Sequence, residues 1–481
     1  MFRLSFRGLF LSSLILLSGC ATHRDTLVNV RDSFYVGDLE QASKILSEKT
    51  EKKGLKLTAA TDADVCMLDE AIVSLVRGDA KGAEQRLRTV RDNFDHLEQK
   101  SGAEFALAML TDDKAMAYAG EDYEKVMIRV FLTLANLMGD GQDAKAYSFQ
   151  IGQKQNQIIE LGKDKKTGEN PKASYKQVPI SAYLCGLLRE QEMSGASEAA
   201  YWFNLMNQWA ADFDPTGENL RRAQSGASSQ KGNGVVHVIA LVGRGPYKQQ
   251  VAEPVTQISL LIADQLVSAF SKYSVPPTIA PVPIPEIVCP PNPIQTVSVA
   301  VDGSPRAQTR TITDVGQMAK EQFEANKPSI IGRAVARRVI KKGAIYATKE
   351  GLGLDQSPEG QLASVALDVG GIVWEATESA DTRCWGLLPD KIQAARIELP
   401  AGEHTISLTP EGSYRALTAD ASRQITVRDG EDTFVLAYIP GSGWADSQPK
   451  PDYDPFFMTW YRRPKYIATG SAVVGNIQVS R

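Results

Sequence analysis

A glycine followed five residues later by an alanine recurs in the first half of the chain, and this spacing constrains the fold more than any other feature. The copies are Gly37 with Ala42, Gly78 with Ala83, Gly139 with Ala144, and Gly195 with Ala200. In the first three copies an aspartate follows the glycine. Glycine can adopt the left-handed conformation that ends a helix, aspartate can cap the next helix, and alanine lets two helices approach closely. We therefore expect each copy to be the turn of a helical hairpin.

Apolar residues at helical spacing flank these turns, as in Leu39, Ala42 and Ile45. This spacing gives each helix one apolar face to bury. The segments "FYVGDLEQASKIL" and "AIVSLVRGDAKGAEQRL" resemble tetratricopeptide repeats at the turn and second helix. The resemblance implies a stack of hairpins with a surface suited to a protein or peptide. The intervals between copies exceed the usual repeat of about 34 residues, so the prediction is an irregular TPR-like helical domain over 20–230, with a plain helical bundle as the alternative.

The pattern changes after a polar boundary at 224–233. The run 235–242 is apolar and β-branched and ends at a Gly243-Arg244-Gly245-Pro246 turn, which predicts a strand and a tight loop. Helical spacing returns over 257–273. Eight prolines within 276–293 exclude a regular helix or a central strand there and favour an extended edge or linker.

A strand over 295–301 with an Asp302-Gly303 turn precedes a predicted hairpin of two helices at 329–379. Its first helix carries basic residues that we expect on a solvated face, with contact to an anionic membrane surface as the alternative; they are Arg333, Arg337, Arg338, Lys341 and Lys342. Strands and turns follow over 394–470 and suggest a small sheet or sandwich. The predicted fold class is α+β: a TPR-like α-helical repeat domain, then a mixed α/β domain at 231–481.

The N-terminus has the features of an export signal. Arg3 and Arg7 precede an uncharged run of about ten residues, which is too short to remain as a membrane span, and the segment ends in Leu-Ser-Gly-Cys20. This ending resembles a bacterial lipobox, which implies cleavage of residues 1–19 and attachment of lipid to Cys20. An ordinary signal peptide is the alternative.

Other sequence features bear on location and partners. Ala21 follows the cysteine where an aspartate would favour retention in the inner membrane, so we expect a lipid anchor in the outer membrane, on its periplasmic side. Removal of 1–19, which include two of the 53 basic residues, leaves 51 against 57 acidic residues, a formal charge of −6. This balance predicts no nucleic-acid partner. The expected partners are the membrane, through Cys20, and an envelope protein.

Few residues suggest chemistry. The sequence holds no G-x-S-x-G, H-E-x-x-H, P-loop or EF-hand pattern, so we predict no catalytic residue, no cofactor and no metal site. The cysteines after Cys20 have no metal-binding spacing, and we expect free thiols with disulfides as the alternative; they are Cys66, Cys185, Cys289 and Cys384. Arg244 could help to hold an anion, although a structural turn is the preferred interpretation.

The most distinctive string is 380–389, "ADTRCWGLLP". Its Asp381 and Arg383 could bind a ligand or a partner, or they could pair with each other while Trp385 anchors the junction between helices and sheet. Cys384 would need a base to act as a nucleophile, and no histidine lies nearby in sequence. His237 and His404 are expected to be structural.

Together, the lipobox, the Gly-Asp hairpins, the Gly-Arg-Gly-Pro turn, the basic helix and "ADTRCWGLLPDKIQAARIELPAGEH" resemble a family of tetratricopeptide-like lipoproteins of Gram-negative bacteria. The resemblance implies the anchor at Cys20 and helices followed by a mixed sheet, and it brings no catalytic residue. We expect a membrane-anchored periplasmic scaffold for protein–protein interaction in the cell envelope. The alternative is a hydrolase or carbohydrate-binding protein directed at the cell wall, with a site near Asp381, Arg383 and Trp385.

Overall fold

The computed structural model describes residues 23–51, 63–99, 117–163, 168–192, 194–270, 280–351, 379–412, 421–441 and 457–463. The predicted α+β class is confirmed: paired helices come first, and strands with further helices follow. The helices of the first half are α1 (His23–Tyr35), α2 (Leu39–Glu51), α3 (Ala63–Val76), α4 (Ala80–Gln99), α5 (Asp122–Met138), α6 (Ala144–Leu161), α7 (Pro179–Glu190), α8 (Ala196–Trp209) and α9 (Glu218–Ser225).

The second half contains most of the strands and two more helices. In chain order its elements are β1 (Asn233–Val242), β2 (Tyr247–Glu253), α10 (Gln257–Phe270), β3 (Val282–Val288), β4 (Ile294–Val301), β5 (Ser304–Gln308), β6 (Arg310–Asp314), α11 (Val315–Gly351), β7 (Lys391–Pro400), β8 (Gly402–Gly412), β9 (Ala421–Val427), β10 (Asp432–Ile439) and β11 (Phe457–Arg463). The predicted strand near 235–242, the helix from 257 and the strand ending at 301 are all present. The proline-rich stretch contains β3, which pairs with β2 alone in a two-stranded ribbon, as an extended edge segment should.

Two hairpin turns have the geometry that the sequence predicts. Gly37 and Gly78 are left-handed, with φ of 81° and 84°. In each turn the next residue, Asp38 or Asp79, donates its backbone N–H to a carbonyl five residues earlier, which closes the preceding helix. The side chains of the same aspartates accept backbone N–H groups of the following helix. The alanines that follow are buried between the paired helices.

The other two copies differ from the prediction. In the third, Gly139 is not left-handed; Gly141 takes that role, with φ of 69°. In the fourth, the prediction of a left-handed glycine is wrong, because Gly195 has φ of −83°. It requires glycine for another reason, since a Cβ there would lie 1.9 Å from the carbonyl oxygen of Arg189. The buried alanine of that helix is Ala199 rather than the predicted one.

The strands form a sandwich whose two sheets share an apolar interior. One sheet has the order β11-β10-β1-β7-β6, with β1 and β10 parallel; the other has the order β5-β4-β8-β9. On β1, Val236, Val238 and Ala240 face the sandwich interior, whereas Ile239 and Leu241 join the core of the helical half. This alternation follows from the two-residue period of a strand. The described part of the molecule therefore has three layers: helices, a mixed sheet and an antiparallel sheet.

The predicted C-terminal sandwich includes strands from well before residue 394. Strand β4 lies between β5 and β8, and β1 lies between β10 and β7, so the sheets combine strands from across 233–463. One apolar core extends from Leu27 in the first helix to Tyr438 in β10. The helical half and the strands are thus packed directly on each other.

The basic helix also differs from the prediction. Helix α11 begins at Val315 rather than near 329 and continues past Pro328. The expected solvated face is wrong for Arg337 and Arg338, which are buried, and Arg338 donates to the backbone carbonyls of Ala280 and Pro281. The second predicted helix, from 361, lies outside the described residues. Among the helices that are described, none is both long enough and apolar enough to cross a bilayer.

Candidate functional site

Residues 379–390, which include the distinctive string, form a mostly buried segment between the helical half and the mixed sheet. We call it the junction segment. It precedes β7 and has little regular secondary structure. Trp385, Leu387 and Leu388 are fully buried, and Cys384 is nearly so. Helices α1, α3 and α5 supply polar contacts to this segment. These contacts decide whether its side chains are available to a ligand.

Asp381 and Arg383 pair with each other. Arg383 donates from Nε to Oδ1 and from Nη2 to Oδ2 of Asp381, at 2.9 and 2.8 Å. The guanidinium also lies 5.4 Å from the ring centre of Tyr118. Burial acts to raise the pKa of Asp381, but the hydrogen bonds and charge of Arg383 outweigh it and hold that pKa below its ordinary value. The acid is therefore an ionised, paired carboxylate rather than an available proton donor.

Trp385 is an internal anchor. Its ring packs at 5.3 Å from that of Phe131 on α5. Its backbone N–H donates to Oε1 of Glu124 at 2.7 Å. The indole Nε1 has no hydrogen-bond partner among the described residues. A fully buried ring in this position cannot serve as a platform for an external ligand.

Glu124, near the start of α5, fixes the junction segment because its carboxylate accepts a hydrogen bond from the backbone of that segment. Besides the Trp385 N–H, it accepts the hydroxyls of Tyr118 at 2.5 Å and Tyr123 at 3.2 Å, and the backbone N–H of Glu121 at 3.0 Å. Burial is the main reason that the pKa of Glu124 is raised above its ordinary value. A buried carboxylate costs free energy unless its oxygens are satisfied, and here four donors converge on it.

Asp69 on α3 also accepts a hydrogen bond from the backbone of the junction segment, two residues beyond Trp385. Its Oδ1 accepts the backbone N–H of Leu387 at 3.0 Å. Burial raises its pKa to about 7, although the nearby guanidinium of Arg31 opposes this. Arg31 packs so closely on Gly386 that an added Cβ would lie 2.2 Å from its Nη2. It also donates to the sulfur of Cys384 at 3.9 Å.

The Gly-Arg-Gly-Pro turn closes the same junction. The guanidinium of Arg244 lies over the ring of Tyr35 on α1, 4.2 Å from its centre. Gly245 donates its N–H to the carbonyl of Leu388 at 2.7 Å. The close backbone approach leaves no room for a Cβ at Gly245. The turn therefore makes packing and backbone contacts with α1 and the junction segment.

The structure thus places Arg244, Asp381, Arg383 and Trp385, the residues chosen from the sequence, at the same junction, where Arg383 and Trp385 are buried and Arg244 and Asp381 are partly exposed. Sequence reasoning missed the acids that hold them, Asp69 and Glu124. The available signal was an acidic residue inside a strongly apolar helical stretch, as in "CMLDEAIV". Cys20, the predicted lipidation site, lies outside the described residues.

The other described thiols, and the histidines His237 and His404, are either buried or engaged in contacts with the protein itself. The four predicted free cysteines are free thiols, and burial raises the pKa of Cys384 despite the nearby Arg31. His237 pairs with Asp432 at 3.1 Å, and His404 contacts Asp302 at 2.7 Å, in the structural roles expected of them. A small cavity near the junction is lined, within the described residues, by apolar side chains and Tyr438.

The pKa of Asp69 gives a test of the junction. Because the folded pKa is raised from 3.8 to about 7, the folded state holds this proton more tightly than the unfolded state. The contribution of Asp69 to stability is therefore fully present below about pH 4 and is lost as the pH rises through about 7. We expect the melting temperature of Asp69→Asn to fall less than that of the wild type as the pH rises from about 4 to about 7.

Asp212→Asn is the matched control, since Asp212 is exposed. Melting temperatures recorded by circular dichroism from about pH 4 to pH 8 would make the comparison. Identical pH profiles for the wild type and Asp69→Asn would contradict the raised pKa.

What the junction can do chemically is limited by its contacts. Its acids accept hydrogen bonds from the protein itself, its thiol is buried, and its arginines pack on Asp381, Tyr35 and Gly386. Among the described residues, no group of three or more His, Cys, Asp or Glu side chains could hold a metal ion. These contacts make the junction segment a structural connection between the helical layer and the mixed sheet. No family model, curated protein or solved structure matches the chain.

Proposed function

We propose that the protein is a lipid-anchored lipoprotein of the outer membrane, on the periplasmic side, whose helical half holds a protein partner of the cell envelope. The supporting observation is a row of aromatic rings on α6 and α8, of which two are partly buried and the last is exposed. Tyr201 is 58% exposed, its ring centre lies 5.3 Å from that of Trp202, and Trp202 lies 5.7 Å from Phe149. Tyrosine and tryptophan dominate the binding energy of many protein interfaces.

The buried junction supports this proposal in a second way. It joins the helices to the sheet through the ion pair of Asp381 with Arg383 and through two carboxylates that accept hydrogen bonds from backbone N–H groups of the junction segment, so the aromatic row is carried on one packed body. The alternative, a cell-wall hydrolase or carbohydrate-binding protein with a site at Asp381, Arg383 and Trp385, has less support. Those side chains are directed at each other and at the core.

A photo-reactive amino acid at position 201 tests the proposal in cells. We expect it to crosslink a defined envelope protein, which mass spectrometry identifies and which then binds the purified lipoprotein directly. Tyr201→Ala should weaken that binding by about tenfold, as for an interface hot spot. The same photo-reactive residue at Leu261, which is 67% exposed on α10, is the matched control.

The anchor is tested by repeating the capture with Cys20→Ser, which should remain soluble and lose the partner at its native abundance. If neither form captures an envelope protein at position 201, or if positions 201 and 261 capture the same set, the scaffold proposal is wrong. Release of soluble fragments from purified cell wall by the wild type, but not by Asp381→Asn, would instead support the hydrolase.

A further inference from the structure

Helix α1 is part of the folded body from almost its first turn. It begins at His23, and Leu27, Val30 and Phe34 are fully buried in the apolar core. Its second half is fixed further by the contact of Arg31 with Gly386. The helix therefore cannot act as a flexible tether.

The reach from the proposed lipid to this helix is short. His23 is the third residue after Cys20. An extended chain advances at most about 3.6 Å per residue, so the Cα of His23 lies within about 11 Å of the Cα of Cys20. The lipid headgroup region on each side of a bilayer is only somewhat thinner than this, at roughly 5–8 Å.

From this reach we infer that the end of the body where α1 begins lies against the lipid headgroups, so that the bilayer surface is a contact surface of the folded domain. The inference rests on the proposed acylation of Cys20. It adds an orientation: the left-handed turn at Gly37, which ends α1, is directed away from the membrane. Partners bound by the helical half would then meet a body held at a fixed distance from the bilayer surface rather than one on a long flexible linker.

Two exposed valines on α1 make the inference measurable. Val28 is 40% exposed and Val36, just past the end of the helix, is 51% exposed. They are eight residues apart, which corresponds to about 12 Å along a helix axis. The two positions carry the same side chain at similar exposure, so they differ mainly in their distance from the anchor.

The experiment uses the lipidated full-length protein on vesicles of phosphatidylethanolamine and phosphatidylglycerol that contain a lipid with a quencher in its headgroup region. A fluorophore is attached at Val28→Cys or at Val36→Cys. The unsubstituted protein reports background labelling, which we expect at Cys289, the thiol that is only partly buried, and not at the buried Cys66, Cys185 and Cys384. This background is subtracted from the signal of both variants. We expect quenching at position 28 to exceed that at position 36 by about twofold, given the 12 Å offset.

Inserting twenty Gly and Ser residues after Thr22 should abolish the difference, because such a linker has a root-mean-square span of about 25 Å. Equal quenching at the two positions, or a difference that survives the insertion, would overturn the inference. Flotation with vesicles separates this failure from failure of the anchor. If the lipidated protein floats but shows equal quenching, the inference alone is wrong; if it does not float, the proposed anchor is wrong as well.

Discussion

Trp385→Ala is expected to lower the free energy of unfolding by about 3–5 kcal/mol, the range measured for large aromatic side chains truncated in protein cores. The ring is fully buried against Phe131, and a packed core collapses only partly around a cavity of this size. Urea unfolding followed by circular dichroism would show the midpoint displaced to lower denaturant. A ligand-binding tryptophan would behave differently, since its loss would reduce binding and leave stability nearly unchanged.

Tyr201→Ala is the matched control for this substitution. It removes another aromatic ring from the same core-packed body, but from a position that is 58% exposed. Substitutions at such positions usually change stability by less than about 0.5 kcal/mol. If both variants unfold at the same denaturant concentration as the wild type, the anchoring role of Trp385 is wrong.

Glu124→Ala is expected to cost at least about 3 kcal/mol, because removing one member of a buried polar group leaves the others without partners. The hydroxyls of Tyr118 and Tyr123 and the backbone N–H of Trp385 all donate to this carboxylate. Glu124→Gln should cost less, since an amide oxygen can still accept some of these bonds. Thermal melting of the two variants beside the wild type would establish the order.

Glu48→Ala provides the comparison for a glutamate in α2 whose side chain is exposed. We expect it to melt within a few degrees of the wild type. A melting temperature for Glu124→Ala equal to that of Glu48→Ala would show that the hydrogen bonds of Glu124 contribute nothing to stability.

The sequence predicted features whose causes are local. The turns at Gly37 and Gly78 follow from residues that lie within one helical hairpin, and both have the predicted geometry. Gly195 was misinterpreted because its need for glycine comes from close contact with the Arg189 carbonyl, which the spacing pattern does not reveal. The start of α11 was placed too late because Pro328, a usual helix breaker, lies inside the helix.

The candidate site was found but its supporting residues were not. "ADTRCWGLLP" was recognisable as unusual, and the pairing of Asp381 with Arg383 was one of the two interpretations that its spacing allowed. Asp69 and Glu124 were missed because each accepts a hydrogen bond from a backbone N–H group that is distant in sequence, by 318 and 261 residues respectively. No single-sequence pattern links residues at such separations.

Those separations also bear on the order in which the chain can fold. Arg31 meets Cys384 across 353 residues, and the first strand pairs with β7 and β10, which come from the last quarter of the chain. Contacts between residues so distant in sequence form slowly, because a long loop must close first. A chain that emerges N-terminus first would carry the acids at 69 and 124 before their partners exist. We therefore expect maturation to depend on arrival of the C-terminal strands, and a chain truncated before residue 379 to be prone to aggregation.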